Sequence, residues 1–441
     1  MNEKLDEKQV ERSWLGQAGT AANETVCAGS VHCDGGQAGS GNDATSFMRR
    51  AIELAKNGEG WTNPNPLVGA VIVKDGVIIG EGYHHKYGGL HAEREALLDC
   101  KNRGCDARGA TIYVTLEPCA HFGKQPPCSH ALVEAGIKRV FVGSRDPNPL
   151  VAGKGNAYLR EHGIEVTEDF LREECDTLNP IFFHYITTKT PYVALKYAMT
   201  ADGKIATSAG KSKWITGEKA RAFVHQLRNR YASILCGIGT VLADDPMLNC
   251  RLGNCSENGG ESVRGNETEA GLEGGSGNSS DNGKAGNNPI RIVLDSSLRI
   301  PLESRLVKTA REIPLIVACC EDSDSSKKQA LESAGAEVLV LPSDASGHPD
   351  IPALLAVLGE RKIDSVLVEG GAGVNFSFLE SGVVNCIYAF IAPKLFGGEA
   401  SKSPVGGSGV QEVPQAFNFE IADIKRFDKD VMLEMKKCLQ E

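Results

Sequence analysis

Residues 111–128 read Thr-Ile-Tyr-Val-Thr-Leu-Glu-Pro-Cys-Ala-His-Phe-Gly-Lys-Gln-Pro-Pro-Cys, and this stretch decides how the first half of the chain folds. Thr111–Thr115 has the β-branched and apolar content of a strand. Pro118-Cys119 follows its end, and Cys128 stands just before a helical pattern over Ser129–Ala135. Upstream, His91-Ala92-Glu93 opens a predicted helix over His91–Cys100. One histidine and two cysteines are three soft-to-borderline ligands, the set a catalytic zinc takes while keeping its fourth position for water. Such a metal acidifies its water. Deamination also needs a carboxylate that moves a proton from the attacking water to the leaving ammonia. Glu93, two residues past His91, has the offset to reach that water without binding the metal. The same residues also suit a structural zinc or buried thiols. The conjunction of H-x-E with Pro-Cys at a strand end favours the deaminase pattern.

Working outward, a helix is expected over Thr45–Asn57, with Phe47, Ile52, Leu54 and Ala55 as its apolar face. Val68–Val73, a Lys74-Asp75-Gly76 turn and Val77–Gly80 give a hairpin. Val140–Gly143, a helix over 155–162 and a short strand over 163–166 complete an α/β sandwich. Residues 168–189 read as a helical connector. A second α/β pattern starts with the strand Tyr192–Lys196, a helix over 217–230 and the strand Ser233–Gly237. Further strands are expected at Ile290–Asp295, 314–319, 337–341, 364–369 and 385–392. The domain reading is a disordered N-terminal extension over 1–43, a zinc deaminase domain over 44–167, a connector over 168–190 and a second α/β domain over 191–441. Residues 253–289, dense in Gly, Asn, Ser and Glu, read as a disordered insertion.

The formal net charge of −10 disfavours a nucleic-acid partner, which usually meets a basic face. The 14 cysteines are irregularly spaced over a long chain, which fits a reducing compartment better than a secreted disulfide scaffold. Cys27 and Cys33 in the extension read as incidental. No run of about 18 apolar residues spans a membrane, and the charged start MNEKLDEKQVERSW has no apolar core of a signal peptide. The expected setting is cytoplasmic, with homo-oligomerisation left open.

The run 115–128 resembles the deaminase domain of the bifunctional riboflavin-biosynthesis deaminase–reductases. So do Asn63–Gly69 (Asn-Pro-Asn-Pro-Leu-Val-Gly), Asp146–Pro149 and Val151–Gly155. The eight residues between the thiols, in place of the common C-x-x-C, leave room for a loop that touches substrate. Gly89 and Leu90 depart from the family, in which many members have Glu followed by Pro or Ala. The second half resembles the family's reductase domain through Pro191–Ala198, Asp202–Ala206, Ser212–Thr216, Gly239–Leu248 and Val368–Gly371.

The resemblance implies a cytidine-deaminase-like α/β/α domain followed by a dihydrofolate-reductase-like α/β domain. The first would carry out zinc-dependent hydrolytic deamination of 2,5-diamino-6-(5-phosphoribosylamino)pyrimidin-4(3H)-one, and the second an NADPH-dependent reduction of the ribosyl group to ribityl. One zinc per chain would sit on His91, Cys119 and Cys128, with Glu93 as the proton carrier and Asn65 on the pyrimidine. Ala198, Trp214, Thr240, Asp244, Ser296 and the run Gly371, Ala372, Gly373, Val374, Asn375, Phe376 and Ser377 would contact NADPH. Ser212, Arg228, Leu248, Arg251 and Glu369 would contact substrate, and Lys196 is a candidate for polarising or protonating the sugar. The arginines suit a ribose phosphate. The glycine turn 370–373 between a strand and a helix can bind a pyrophosphate through backbone N–H groups, a weak signal taken alone. The residues do not decide between NADPH and NADH. His84, His85 and His121 could face the first site or be surface residues. The partner implied is a small phosphorylated pyrimidine. The competing readings are a nucleoside or nucleic-acid deaminase with an appended non-catalytic domain, and a catalytically inactive binding protein.

Overall fold

The computed structural model describes residues 43–120, 126–148, 152–252 and 286–438. The expected extension before Asp43 lies outside them, as do 253–285 of the expected insertion and His121. Two sheets organise the described chain.

The first sheet is built from β1 (Gly69–Lys74), β2 (Val77–Tyr83), β3 (Thr111–Leu116), β4 (Arg139–Ser144) and β5 (Glu165–Thr167), ordered β2-β1-β3-β4-β5. β1 is antiparallel to both β2 and β3, while β3, β4 and β5 run parallel. Helices α1 (Ala44–Lys56), α2 (Ala92–Asn102), α3 (Cys128–Glu134) and α4 (Lys154–Glu161) cover it. The period-two alternation of a strand explains how one sheet fills two cores. Ala70 and Ile72 of β1 join Ala92, Ala96 and Cys100 of α2. Val71 and Val73, facing the other way, join Phe47, Ala51 and Leu54 of α1. The connector forms two short helices, α5 (Arg172–Asp176) and α6 (Pro180–Thr188).

The second sheet comprises β6 (Tyr192–Thr200), β7 (Ser233–Gly237), β8 (Ile290–Leu294), β9 (Leu315–Cys320), β10 (Glu337–Leu341), β11 (Ser365–Val368), β12 (Val384–Ala392), β13 (Phe419–Phe427) and β14 (Asp430–Lys437). Their order is β10-β9-β8-β7-β11-β6-β12-β14-β13. All pairings from β10 to β12 are parallel, and the last two are antiparallel. Around it lie α7 (Glu218–Arg230), α8 (Ile238–Asp244), α9 (Arg305–Lys308), α10 (Ser325–Ala334), α11 (Ile351–Glu360) and α12 (Ala372–Glu380). Val193, Leu195, Val366 and Val368 pack with Leu354, Leu358 and Phe378, while the alternate residues Ala194 and Leu367 pack with Ala220, Val224 and Leu227 of α7. The central strands are thus covered on both faces, as parallel strands require.

Several expectations are corrected. Lys196 is the fifth residue of a nine-residue strand, not the end of one, because the ladder with β12 continues to Thr200↔Ala392. The short strand of the first sheet is Glu165–Thr167 rather than 163–166. The end of the insertion is ordered. Asn287 donates to Asn229 Oδ1 (2.8 Å) and Gly60 O (3.1 Å), and Asn288 Oδ1 accepts from Cys250 N (2.9 Å). The hairpin β13–β14 was not foreseen. Every inner residue of β13 is exposed, and a register shift between Ile421 and Asp423 interrupts the alternation of its apolar residues.

Candidate functional site

In the first half two helix starts and one strand end meet. His91 stands at the N-cap of α2 in extended conformation (φ −78°, ψ 159°), and Cys128 is the first residue of α3. Cys119 follows β3 by three residues. The His91 Nδ1 atom lies 3.6 Å from Cys119 Sγ and 3.4 Å from Cys128 Sγ, and the three ligand atoms all lie within 4.8 Å of one another. Cys128 N–H donates to Cys119 Sγ (3.3 Å). A helix N-terminus favours a thiolate through its unpaired N–H groups and dipole. The Cys119 thiol is pushed down to about 4, chiefly by a hydrogen bond from Cys128 and, against the opposing burial, by His91. This donor set fits a zinc ion, by ligand chemistry and by convergence.

Glu93, the second residue of α2, is 3% exposed, and its Oε2 has no hydrogen-bond partner. Burial, and then the charge of Cys119, raise its carboxyl above the ordinary range. A buried carboxyl with one partnerless oxygen beside a three-ligand metal set has the surroundings of a group that can carry a proton.

Asn65 comes to this centre through His84. Its Nδ2 donates to His84 Nε2 (3.2 Å), and His84 Nδ1 donates to Leu90 O (2.8 Å), which fixes the tautomer of the ring. His84 is 3% exposed, and its ring centroid lies 5.4 Å from that of His91. The two neighbouring histidines thus separate: His84 is inside, and His85 is half exposed, 4.0 Å from Glu95.

One residue at this site was missed. Glu117, buried, accepts hydrogen bonds from the N–H groups of Gly153 (3.0 Å), Gly155 (3.1 Å) and Asn156 (3.4 Å). It ties the start of α4 to the metal loop. A Cβ on Gly155 would stand 1.8 Å from Pro118 O, so only glycine permits that approach.

In the second half, the expected cofactor residues Thr240, Asp244, Ser296 and 371–377 gather along one edge. Thr240 and Asp244 lie in α8, directly after β7. Ser296 lies two residues after β8, its Oγ 3.4 Å from His348 Nδ1. The run 371–377 follows β11, and Gly237 N donates to Gly370 O (2.9 Å). These strands are neighbours and parallel, so their carboxyl ends form one crevice, the usual ligand position of an open α/β sheet. Gly371 is the N-cap of α12, whose first turn no side chain caps. Asn375 is buried, and its Oδ1 has no partner. An uncapped helix start and an orphaned amide oxygen fit a dinucleotide's phosphates and polar groups. Ala198 lies in β6. Ser212 is half-buried in the loop after β6, and Trp214 in the same loop is 63% exposed, with the Arg221 guanidinium 4.6 Å from its ring centroid.

Lys196, Arg228 and Glu369 form a buried cluster. Arg228 grips Glu369 through two hydrogen bonds, Nε to Oε1 (2.7 Å) and Nη2 to Oε2 (2.9 Å), while Nη1 donates to Asn249 O (3.1 Å). Lys196 Nζ is 3.6 Å from Glu369 Oε2. Arg228, expected at the ribose phosphate, is therefore committed to a carboxylate. Arg251 is exposed and lies against His225, with its guanidinium 3.3–3.4 Å from Nε2. Leu248 is buried. His225 was not singled out, although it precedes Arg228 by three residues on one helix face. Burial, then the charges of Arg228 and Arg251, push its imidazole down to about 4.

Burial alone would raise the Glu369 carboxyl. The Arg228 and Lys196 charges overcome it and hold the group at about 2, below the ordinary 4.5. A carboxyl depressed by folding contributes stability above its unfolded value and loses it as pH falls through the folded one. Stability from this cluster is therefore expected to be intact above pH 4.5 and to drain away towards pH 2. Thermal unfolding should show a steeper acid loss over that window in the parent chain than in Glu369→Gln. Parallel curves would show that the cluster does not bind the carboxylate as drawn.

Comparison with known proteins follows the same division. Residues 42–144 match the model of the cytidine and deoxycytidylate deaminase zinc-binding region, and residues 191–433 match the RibD C-terminal domain. The chain is 52% identical over 388 residues to riboflavin biosynthesis protein RibD of Actinobacillus pleuropneumoniae, covering 88% of this chain and 94% of that one. It is 37% identical over 389 residues to RibD of Escherichia coli, covering 88% and 98%. It is also similar to the crystal structure of a diaminohydroxyphosphoribosylaminopyrimidine deaminase/5-amino-6-(5-phosphoribosylamino)uracil reductase from Thermotoga maritima. There the TM-score is 0.72 at 40% identity, covering 89% of this chain and 98% of that one.

Proposed function

The chain belongs to the RibD family of riboflavin-biosynthesis proteins, and from that premise we propose how its residues divide the work of two reactions. It is a bifunctional enzyme, a deaminase of the hydrolase class and a reductase of the oxidoreductase class, with zinc and NADPH as cofactors. It converts the diaminopyrimidine phosphoriboside to the uracil and then its ribosyl group to ribityl.

In our reading the deaminase spans 44–167, the connector 168–190 and the reductase 191–441. His91, Cys119 and Cys128 hold the metal, which when bound acidifies the water that displaces ammonia. Glu93 takes the water's proton at its carboxylate and hands it to the departing nitrogen. Asn65, its amide fixed by His84, orients the pyrimidine. The observation that carries this reading is the meeting of three soft ligand atoms with a buried carboxyl that has one partnerless oxygen.

In the second half, the crevice at the ends of β7, β8 and β11 takes NADPH, which supplies the hydride. Thr240, Asp244, Ser296 and residues 371–377 line it, with Ala198 and Trp214 beside it. Lys196, pinned by Glu369, presents its ammonium to the sugar. Arg251, together with Ser212 and Leu248, receives the phosphorylated substrate, and Arg228 acts by fixing Glu369.

The partner is a small molecule. A net charge of −10 opposes a nucleic-acid role. No helix among the described residues is long and apolar enough to cross a membrane. The described cysteines are free thiols, which supports a reducing, cytoplasmic setting. Mass spectrometry of products from the diaminopyrimidine tests the division of labour. Deaminated product is expected with or without NADPH, and reduced product only with it. Deamination that depends on NADPH would contradict the reading.

A further inference from the structure

The loop 57–68, which carries Asn65, is held largely by the other half of the molecule. Asn63 Nδ2 donates to both carboxylate oxygens of Asp364, at 3.0 Å and 2.9 Å, across 301 residues of sequence. Asp364 is 2% exposed and pairs with no cation among the described residues; its other side-chain partner there is the Ser365 hydroxyl (2.7 Å). Glu59 pairs with Arg230 (3.3 Å), and its carbonyl accepts from Asn229 Nδ2 (3.1 Å). Gly60 O accepts from Asn287 Nδ2 (3.1 Å). Gly60 has φ +80°, and a Cβ there would stand 2.3 Å from Asn229 O, so the two backbones touch where only glycine fits. Asn179 of the connector clasps Leu67 at both N (2.7 Å) and O (2.8 Å). Within the first half the loop is tied through Tyr87 N to Trp61 O (3.0 Å), through His84 N to Val68 O (2.9 Å) and through Asn65 to His84.

A buried carboxylate without a cation is costly unless hydrogen bonds satisfy it. Asp364 meets that condition by capturing the loop of the other active centre. We propose that Asp364 is a positioning residue for deamination: the reductase half sets the place of Asn63, and through it of Asn65, two residues on. The inference rests on the reading of Asn65 as the pyrimidine contact. It makes the first reaction depend on a residue that directly precedes β11, the strand ending beside Glu369 of the second site. Asn229 and Arg230 likewise follow Arg228 directly on α7, so both grips on the loop come from elements that also build the reductase cluster. The fusion of the two halves is on this account part of the deaminase site, beyond joining two enzymes in one chain.

The test is steady-state ammonia release by the full-length zinc-loaded chain in four variants: Asp364→Ala, Asn63→Ala, the exchange Asn63→Asp/Asp364→Asn, and Asn65→Ala. Losing hydrogen bonds to a buried carboxylate should raise KM for the diaminopyrimidine about 10-fold in Asp364→Ala and in Asn63→Ala. The same variants should keep kcat within about twofold and retain their zinc, since the groups lost bind and orient rather than react. The exchange variant restores a donor on one side and an acceptor on the other, and KM should return towards the parent value. Asn63→Ala carries the test if Asp364→Ala does not fold, because Asn63 is only half-buried. A raised KM in Asn65→Ala with no change in Asn63→Ala and Asp364→Ala would overturn the proposal while leaving the pyrimidine contact intact. An unchanged KM in Asn65→Ala would instead overturn the reading beneath it. A KM that stays raised in the exchange variant would show that the Asn63–Asp364 pair is not what positions the loop.

Discussion

Replacing Glu93 by glutamine is expected to leave the metal in place and slow ammonia release by at least about 100-fold, the usual loss for a missing general acid–base. The amide keeps the size of the side chain and cannot accept and return a proton. One oxygen of the buried Glu93 carboxyl, Oε2, has no partner, so an amide nitrogen at that position displaces no hydrogen-bond donor. His91, Cys119 and Cys128 are untouched, and zinc content measured on the purified variant should equal that of the parent. Reduction of supplied deaminated pyrimidine should proceed at the parent rate. Full deamination by the variant would remove Glu93 from the mechanism.

The second large effect is expected for Arg228→Ala. This guanidinium holds Glu369 through two hydrogen bonds and Asn249 through a third. Its loss leaves a buried carboxylate with Lys196, at 3.6 Å, as its remaining cation. Breaking a buried ion pair from one side costs about 3–5 kcal/mol, more than the 1.5–3 kcal/mol of about one phosphate contact. Chemical denaturation should therefore show a large loss of stability. Reductase kcat should fall as well as KM rise, because Lys196 loses its fixed counter-charge. Deamination, measured below the unfolding range, should change little. A variant of unchanged stability whose KM alone rises would return Arg228 to the role of a plain phosphate ligand.

What could be read from the sequence was what local spacing encodes. His91, Glu93, Cys119 and Cys128 were legible because a metal set must sit at strand and helix ends, and those ends are marked by Pro118, Pro127 and the start of an apolar period. Ser233–Gly237, buried on both faces, and the edge strand Glu337–Leu341 were both read to the residue. Long-range pairings left no such trace. Nothing near Asp364 in sequence announces Asn63, and Glu117 binds backbone N–H groups that any residue would offer. The roles of the adjacent His84 and His85 differ because the chain leaves β2 extended, which sends neighbours to opposite sides. The resemblance implied a substrate contact for Arg228, and its charge suited a phosphate. Its carboxylate partner is 141 residues away, and only the parallel pairing of β7 with β11 brings the two together.

The central claim, two chemistries in two separate sites of one chain, is tested most directly by removing the metal and assaying both reactions on the same preparation. Ammonia release from the diaminopyrimidine should fall to background on chelation and return when zinc is restored. NADPH oxidation with supplied deaminated pyrimidine should continue unchanged throughout. Hydride transfer that disappears with the zinc would contradict the account and place both reactions in one shared site.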